Sequence, residues 1–124
     1  MYNMGEREYI LYKDIFIQFP IFLVNIMSNQ KETYFQNKIL KPEIERRFQG
    51  CHIHKMEGEQ GMPDLLILYN KHWALLEAKR GENSEHQPNQ DYWVDQFNQL
   101  SFSAFIYPEN MKEVLDEMER AFKA

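Results

Sequence analysis

The chain has 124 residues, of which 44% are hydrophobic and 15% aromatic, and its formal net charge is −5 at pH 7. This length supports one hydrophobic core but not two, and the apolar content excludes an intrinsically disordered chain. The single cysteine excludes an internal disulfide framework and fits a reducing cytoplasm. The negative charge argues against a simple electrostatic nucleic-acid binder, although the acidic excess is concentrated after residue 80.

Residues 1–27 form an N-terminal extension ahead of the domain that we place at residues 28–124. Its apolar run, residues 15–27, is interrupted by polar residues and proline and is too short for a membrane span of about 20 apolar residues. Acidic residues near the start argue against a signal peptide, so we expect no membrane association. Three interpretations stay open: an extra element on the core, a dimer-forming arm, or translated upstream sequence.

The domain is predicted to begin with a helix and a strand. Ser28 or Asn29 can cap the helix, and Pro42 should kink or restart it. Gly50 should end the helical region. Residues 51–56 then predict the first strand.

Two apolar runs, residues 65–69 and 73–76, predict a hairpin of buried strands. Ionisable residues stand at the ends of these strands, with Asp64 opening the first and Glu77 and Lys79 closing the second. Side chains two apart on a strand share a face, and an antiparallel return brings both strand ends together. Two carboxylates and one ammonium should therefore converge, an arrangement suited to a hard divalent cation and its activated water.

The rest of the chain predicts a helix, a strand and a closing helix. Pro88 lies near the start of a helix whose apolar stripe contains Trp93, Phe97 and Leu100. Residues 102–107 predict a strand.

The closing helix has a clear amphipathic stripe, formed by Met111, Val114, Leu115, Met118 and Phe122. The predicted fold class is therefore α/β (α+β) with a mixed sheet. Its expected order is αβββαβ with a C-terminal helix.

The segments Gly61-Met62-Pro63-Asp64-Leu65 and Glu77-Ala78-Lys79, with 12 residues between the two acids, resemble the PD-(D/E)xK nuclease superfamily. The likeness is greatest to the VRR-NUC domains and to phage nucleases related to Holliday-junction resolvases. It implies a restriction-endonuclease-like core and a Mg²⁺- or Mn²⁺-dependent DNA endonuclease acting on duplex or branched DNA. It also implies a homodimer and a phage-encoded protein in the bacterial cytoplasm.

The resemblance assigns roles to the central residues. Asp64, Glu77 and the backbone carbonyl of Ala78 would hold the metal through oxygen ligands. Lys79 would orient the attacking hydroxide and balance the phosphate charge.

The superfamily usually adds an acid from the first helix. Glu32 is the favoured candidate here, with Glu45 as runner-up and Glu43 as the third choice.

Further candidates surround this centre. Lys55 resembles a lysine of the related nucleases, and a phosphate contact and a surface role are equally open. Gln60 and Gln90 are predicted DNA contacts, and Gln87 is our first choice for the supporting glutamine that the resemblance places in this helix. His86 can donate a proton to a leaving group, but an exposed loop histidine is the more typical interpretation.

Two other functions fit the same residues. One is a non-catalytic nucleic-acid-binding or assembly module on the same fold, in which the acids serve the fold only. The other is an unrelated α/β interaction protein in which Asp64 merely starts a strand and the charges of Glu77 and Lys79 pair on the surface.

Overall fold

The computed structural model describes residues 31–124. Within them, four strands form one mixed sheet accompanied by three α-helices and a π-helix. The elements follow the order helix, three strands, helix, strand, helix, which confirms the predicted α/β fold class. The predictions for residues 1–27, and for Ser28 or Asn29 as helix cap, fall outside the described residues.

The first helical region changes type along its length. Residues 31–34 are helical and lead into the π-helix Phe35–Leu40, which is followed directly by the α-helix α1, Lys41–Arg47. Gly50 ends the region with a φ of 87°, a left-handed conformation that glycine adopts without steric cost.

Pro42 explains why the π-helix does not continue. The Lys41 N–H still reaches the carbonyl oxygen of Gln36, five residues back. Pro42 has no N–H to donate and occupies the first turn of α1, where proline is tolerated. The predicted restart at Pro42 is thus observed as a change of helix type rather than as a break.

The strands are β1 (His52–Lys55), β2 (Leu65–Tyr69), β3 (His72–Ala78) and β4 (Phe102–Ile106), and the later helices are α2 (Gln90–Leu100) and α3 (Met111–Lys123). The spatial order of the strands equals their chain order. The first three strands are antiparallel, whereas β3 and β4 run parallel. A parallel pair needs a crossover connection, and α2 provides it.

The turn between β2 and β3 is shorter than the sequence suggested. Tyr69 pairs with His72, so that only Asn70 and Lys71 connect the strands. Asn70 has a φ of 55°, as two-residue hairpin turns require. His72 therefore belongs to β3, which extends through Ala78.

The hydrophobic core lies on one face of the sheet, between the strands and the flanking helices. Alternate residues of β2 and β3 point into it, and the apolar stripes of α1 and α3 meet them. Its buried members include Ile44, Phe48, Leu65, Ile67, Ala74, Leu76, Leu115, Met118 and Phe122. The predicted stripe of the closing helix is confirmed by this packing.

The helix α2 covers the other face of the sheet, where the Phe97 ring contacts Trp73. The predicted stripe of this helix needs one correction, because Leu100 is its last residue and is 73% exposed. The buried positions are instead Gln90 and Val94, which lie four residues apart on one face with Phe97. None of the helices in residues 31–124 is both long and apolar enough to cross a membrane.

An ion-pair network joins α1 to α3. Arg47 donates to the carboxylates of Glu43 and Asp116 at 3.0 and 2.7 Å, and it lies 3.6 Å from Glu119. Because Arg47 is largely shielded from solvent, these contacts are screened less than ordinary surface pairs.

We expect Leu76→Ala to lower the free energy of unfolding by about 2–5 kcal/mol, because the side chain is fully buried in the central strand. The matched control is Leu100→Ala, which should change stability by less than about 0.5 kcal/mol because Leu100 is exposed. Urea unfolding followed by circular dichroism measures both. Equal losses in the two variants would contradict the core described above.

Asp116 should stabilise the fold only above acidic pH. Hydrogen bonds from Lys112 and Arg47 lower the pKa of Asp116 from 3.8 to about 2. A depressed folded-state pKa contributes stability above the unfolded value, and this stability is lost as the pH falls towards 2. Asp116→Asn should therefore be less stable than the parent at pH 7, and the difference should shrink between about pH 4 and pH 2.

The control for this comparison is Glu117→Gln, an exposed acid on the same helix. Unfolding free energies at pH 2, 3, 4 and 7 provide the measurement. A difference between Asp116→Asn and the parent that stays constant with pH would show that the ion pairs do not stabilise the helix contact.

Candidate active site

Two carboxylates face each other at one end of the central strands β2 and β3. The register pairs Leu65 with Leu76, so the next position along both strands sets Asp64 opposite Glu77. The Ala78 N–H donates to Oδ1 of Asp64 at 3.2 Å, which fixes this carboxylate against β3. The structure thus brings together the two acids that the hairpin pattern predicted at this position.

Lys79 is buried beside these acids, with 7% of its surface exposed. Its Nζ donates to Oε1 of Gln90 at 2.8 Å and to the carbonyl oxygen of Glu85 at 3.1 Å. The same Nζ lies 3.8 Å from Oε2 of Glu77, and Nε2 of Gln90 donates to that oxygen at 3.1 Å. The amide of Gln90 therefore bridges the carboxylate and the ammonium, and satisfies both in a place that excludes water.

The structure places Gln90, and not Gln87, against Glu77 and Lys79. Asn89 takes a left-handed conformation, with a φ of 72°, and α2 begins only at Gln90. Gln87 precedes the helix with an exposed side chain, and its backbone N–H donates to Oε1 of Gln90 at 2.7 Å. The side chain beside Glu77 and Lys79 is thus that of Gln90, which is buried, whereas the supporting role predicted for Gln87 and the DNA contact predicted for Gln90 stay predictions.

Gly61 allows the loop before β2 to pack on the start of α2. A Cβ on Gly61 would lie 2.7 Å from Cβ of Asn89 and 2.8 Å from the carbonyl oxygen of Pro88. Its φ of 92° also favours glycine. The neighbouring Gln60 is exposed and lines a surface pocket with Trp93, so its predicted DNA contact stays a prediction.

Glu32 is the acid from the first helical region that joins the site. Burial raises its pKa, and the negative charge of Asp64 raises it further. Burial also raises the pKa of Glu77 to about 8, with Asp64 and then Glu32 adding to the effect. Three carboxylates therefore share one poorly solvated environment.

The other two acids of this region lie elsewhere. A hydrogen bond from Arg46 lowers the pKa of Glu43, and Arg47 binds the same carboxylate. Glu45 is exposed. Of the three candidates, the structure thus places only Glu32 in the electrostatic environment of Asp64 and Glu77.

Two cations border the carboxylates besides Lys79. Nζ of Lys55 lies 3.6 Å from Oδ2 of Asp64, and 56% of the Lys55 side chain is exposed. The charge of Arg80 lowers the pKa of Glu32. Lys55 is thus both paired with the site and open to solvent, which leaves it accessible to a phosphate.

Part of the site could not be found from residue types. The carbonyl of Glu85 holds Lys79, but any residue would provide a carbonyl there. Gln90 did have a signal, because it stands four residues before Val94 on the buried stripe of the helix.

The donor set suits a hard divalent cation. Mg²⁺ is usually held by one or two carboxylates together with waters and phosphate oxygens, and Asp64, Glu77 and Glu32 offer carboxylates. In residues 31–124 no three His, Cys, Asp or Glu side chains already have the spacing of a metal site. A cation here would therefore also need oxygens from backbone, water or phosphate, and the Ala78 carbonyl stays the predicted backbone ligand.

Comparison of the chain with family models, curated proteins and solved structures gives no match.

Without metal, Glu77 should make the fold less stable as the pH rises. A carboxyl whose folded-state pKa is raised from 4.5 to about 8 binds more protons when folded than when unfolded. Stability therefore falls between about pH 5 and pH 8 and levels off above. We expect Glu77→Gln to flatten most of this decline, because the amide cannot ionise.

Unfolding free energies in EDTA between pH 5 and pH 9 measure this effect. Glu113→Gln, which removes an exposed acid of α3, is the matched control and should keep the slope of the parent. An unchanged slope in Glu77→Gln would show that the carboxyl of Glu77 is solvated in the folded protein.

Proposed function

We propose that this chain is a Mg²⁺- or Mn²⁺-dependent DNA endonuclease of the PD-(D/E)xK type, which hydrolyses phosphodiester bonds. The observation that carries the proposal is the meeting of Asp64 and Glu77 beside the buried ammonium of Lys79. The buried ammonium of Lys79 lies next to the carboxyl of Glu77, whose pKa is raised, and such groups stabilise a fold poorly and are typical of functional sites.

The metal would be held by Asp64, Glu77 and the Ala78 carbonyl, with Glu32 close by. When bound, it supplies charge stabilisation for the phosphate and lowers the pKa of a coordinated water. The protein residues provide the orientation. Asp64 is fixed by the Ala78 N–H, and Glu77 is held by the amide of Gln90.

Lys79 would orient the attacking water and offset phosphate charge. Its ammonium is a compact point charge whose position is set by Gln90 and the carbonyl of Glu85. Lys55, at the exposed side of Asp64, is suited to contact a phosphate of the substrate.

The substrate we propose is duplex or branched DNA, bound by a homodimer in the cytoplasm of a bacterial host. A single domain of this size has few elements for reading base sequence, and recognition of DNA shape suits it better.

Asp64→Asn and Lys79→Met should each lower metal-dependent DNA cleavage by at least about 100-fold, because the first removes a carboxylate ligand of the metal and the second removes a positive charge beside the scissile phosphate. Labelled linear, single-stranded, flapped and four-way-junction DNA provide the substrates, with Mg²⁺, Mn²⁺ or EDTA. Asp64→Asn should also lose the rise in melting temperature that Mn²⁺ gives the parent.

The matched controls are Asp95→Asn and Lys112→Met, which change exposed residues of α2 and α3 and should cleave like the parent. Cutting that survives in both site variants would come from a contaminating enzyme and would contradict the proposal. If the parent shifts junction DNA in a gel but leaves every substrate intact, the protein is a binding module.

A further inference from the structure

His86 lies beside the candidate site in an arrangement that fixes its ring. The imidazole stacks on the ring of Phe105, with centroids 4.0 Å apart and an interplanar angle of 15°. Its Nδ1 lies 2.9 Å from Oδ1 of Asp91 in the first turn of α2. An unconstrained loop side chain would have neither contact.

Phe105, on which the His86 ring stacks, is also the β4 neighbour of Glu77. In the parallel β3–β4 register Phe105 pairs with Glu77, so the two side chains stand on the same face of neighbouring strands. Asp64 is the neighbour of Glu77 on the opposite side, across the β2–β3 pair. Across three strands the face thus presents Asp64, Glu77 and Phe105, with His86 lying over the last.

The backbone on both sides of His86 is tied to the same site. The carbonyl of Glu85 accepts from Lys79, and the N–H of Gln87 donates to the side chain of Gln90. His86 therefore belongs to a short segment anchored at both neighbours, and its position relative to Lys79 is fixed.

The partners of His86 determine which nitrogen is available. A carboxylate only accepts hydrogen bonds, so Nδ1 carries the hydrogen that Asp91 receives. This leaves Nε2, on a side chain that is 36% exposed, as the nitrogen that can exchange a proton with a bound molecule. The hydrogen bond to Asp91 therefore fixes the orientation of the ring.

We propose that His86 is the general acid of the hydrolysis proposed above, on which this inference rests, and that Asp91 is its positioning residue. The water oxygen forms a bond to phosphorus as the bond from phosphorus to the leaving deoxyribose oxygen breaks. Nε2 of His86 gives its proton to that oxygen, which leaves as a hydroxyl, and the ring regains a proton from solvent. The attacking water loses its proton to solvent, so the products are a phosphate monoester end and a free hydroxyl end.

The position of His86 agrees with this role. Phe105, on which His86 stacks, pairs with Glu77 on the β4 side, and the carbonyl of the adjacent Glu85 holds Lys79. The imidazole therefore borders the carboxylate and the ammonium that are proposed to act on the phosphate. The carboxylate of Asp91 contacts the imidazole of His86, and the apolar ring of Phe105 covers one face of the imidazole.

The test compares ordinary DNA with DNA in which sulfur replaces the leaving oxygen at one cleavage site, chosen after product analysis of the parent. A thiolate leaves without being protonated, so it does not need the acid. We expect His86→Ala to lower kcat on ordinary DNA by about 100-fold and on the sulfur substrate by less than about 3-fold. KM should stay near the parent value on both substrates.

A second variant distinguishes the loss of the proton donor from a folding defect. His86→Phe keeps an aromatic ring against Phe105 but has no proton to give, and it should show the same substrate-dependent loss. Asp91→Asn should show a smaller loss that sulfur also removes. His52→Ala, an exposed histidine at the far end of β1, is the matched control.

Mn²⁺-induced stabilisation and junction-DNA affinity, measured without turnover, should be unchanged in His86→Ala and His86→Phe. Parent-like cleavage of ordinary DNA by these variants, or an equal loss on both substrates, would overturn the role of His86 while leaving the nuclease intact. A parent protein that cleaves nothing would overturn the proposed function and this inference together.

Discussion

The structure around the candidate site depends on one constraint, the burial of the Lys79 ammonium next to the carboxyl of Glu77. Taking an ammonium out of water costs several kcal/mol unless its hydrogen-bonding capacity is met. The amide of Gln90 and the carbonyl of Glu85 meet it here. The hydrogen bonds of the Lys79 ammonium at the end of β3 therefore hold the start of α2 and the segment before it in place.

This arrangement is poor for stability by itself. Burial raises the pKa of Glu77, and the charges of Asp64 and Glu32 raise it further. Buried acids that repel one another stabilise the fold less than apolar residues of similar volume. The other side chains at this end of β2 and β3 form an ordinary apolar core, in which Leu65, Leu76 and Ala78 are fully buried. Buried ionisable groups that stabilise an otherwise well-packed fold poorly are expected at functional sites.

The sequence predicted the parts of the site that depend on a strict period. Alternation along β3 put Glu77 and Lys79 on one face, and the antiparallel return brought Asp64 to the same end of the hairpin. The register that sets Asp64 directly opposite Glu77 depends on a turn one residue shorter than expected. Nothing in the sequence indicated that the left-handed Asn89 delays the start of the helix to Gln90, so the position of Gln87 outside the helix was not predicted. Glu32 was favoured by resemblance alone, since nothing in helix periodicity distinguishes it from Glu43 or Glu45.

The net charge of −5 does not describe the charge at the candidate site. Acids of α3 are paired locally, Asp116 with Lys112 and Glu119 with Lys123, and they belong to the opposite face of the sheet from α2. At the site three acids, Glu32, Asp64 and Glu77, meet the three cations Lys55, Lys79 and Arg80. The three charges of each sign balance only when all three acids are ionised, and a bound divalent cation would then make this group of side chains net positive. Metal binding would therefore increase the attraction for a phosphate backbone.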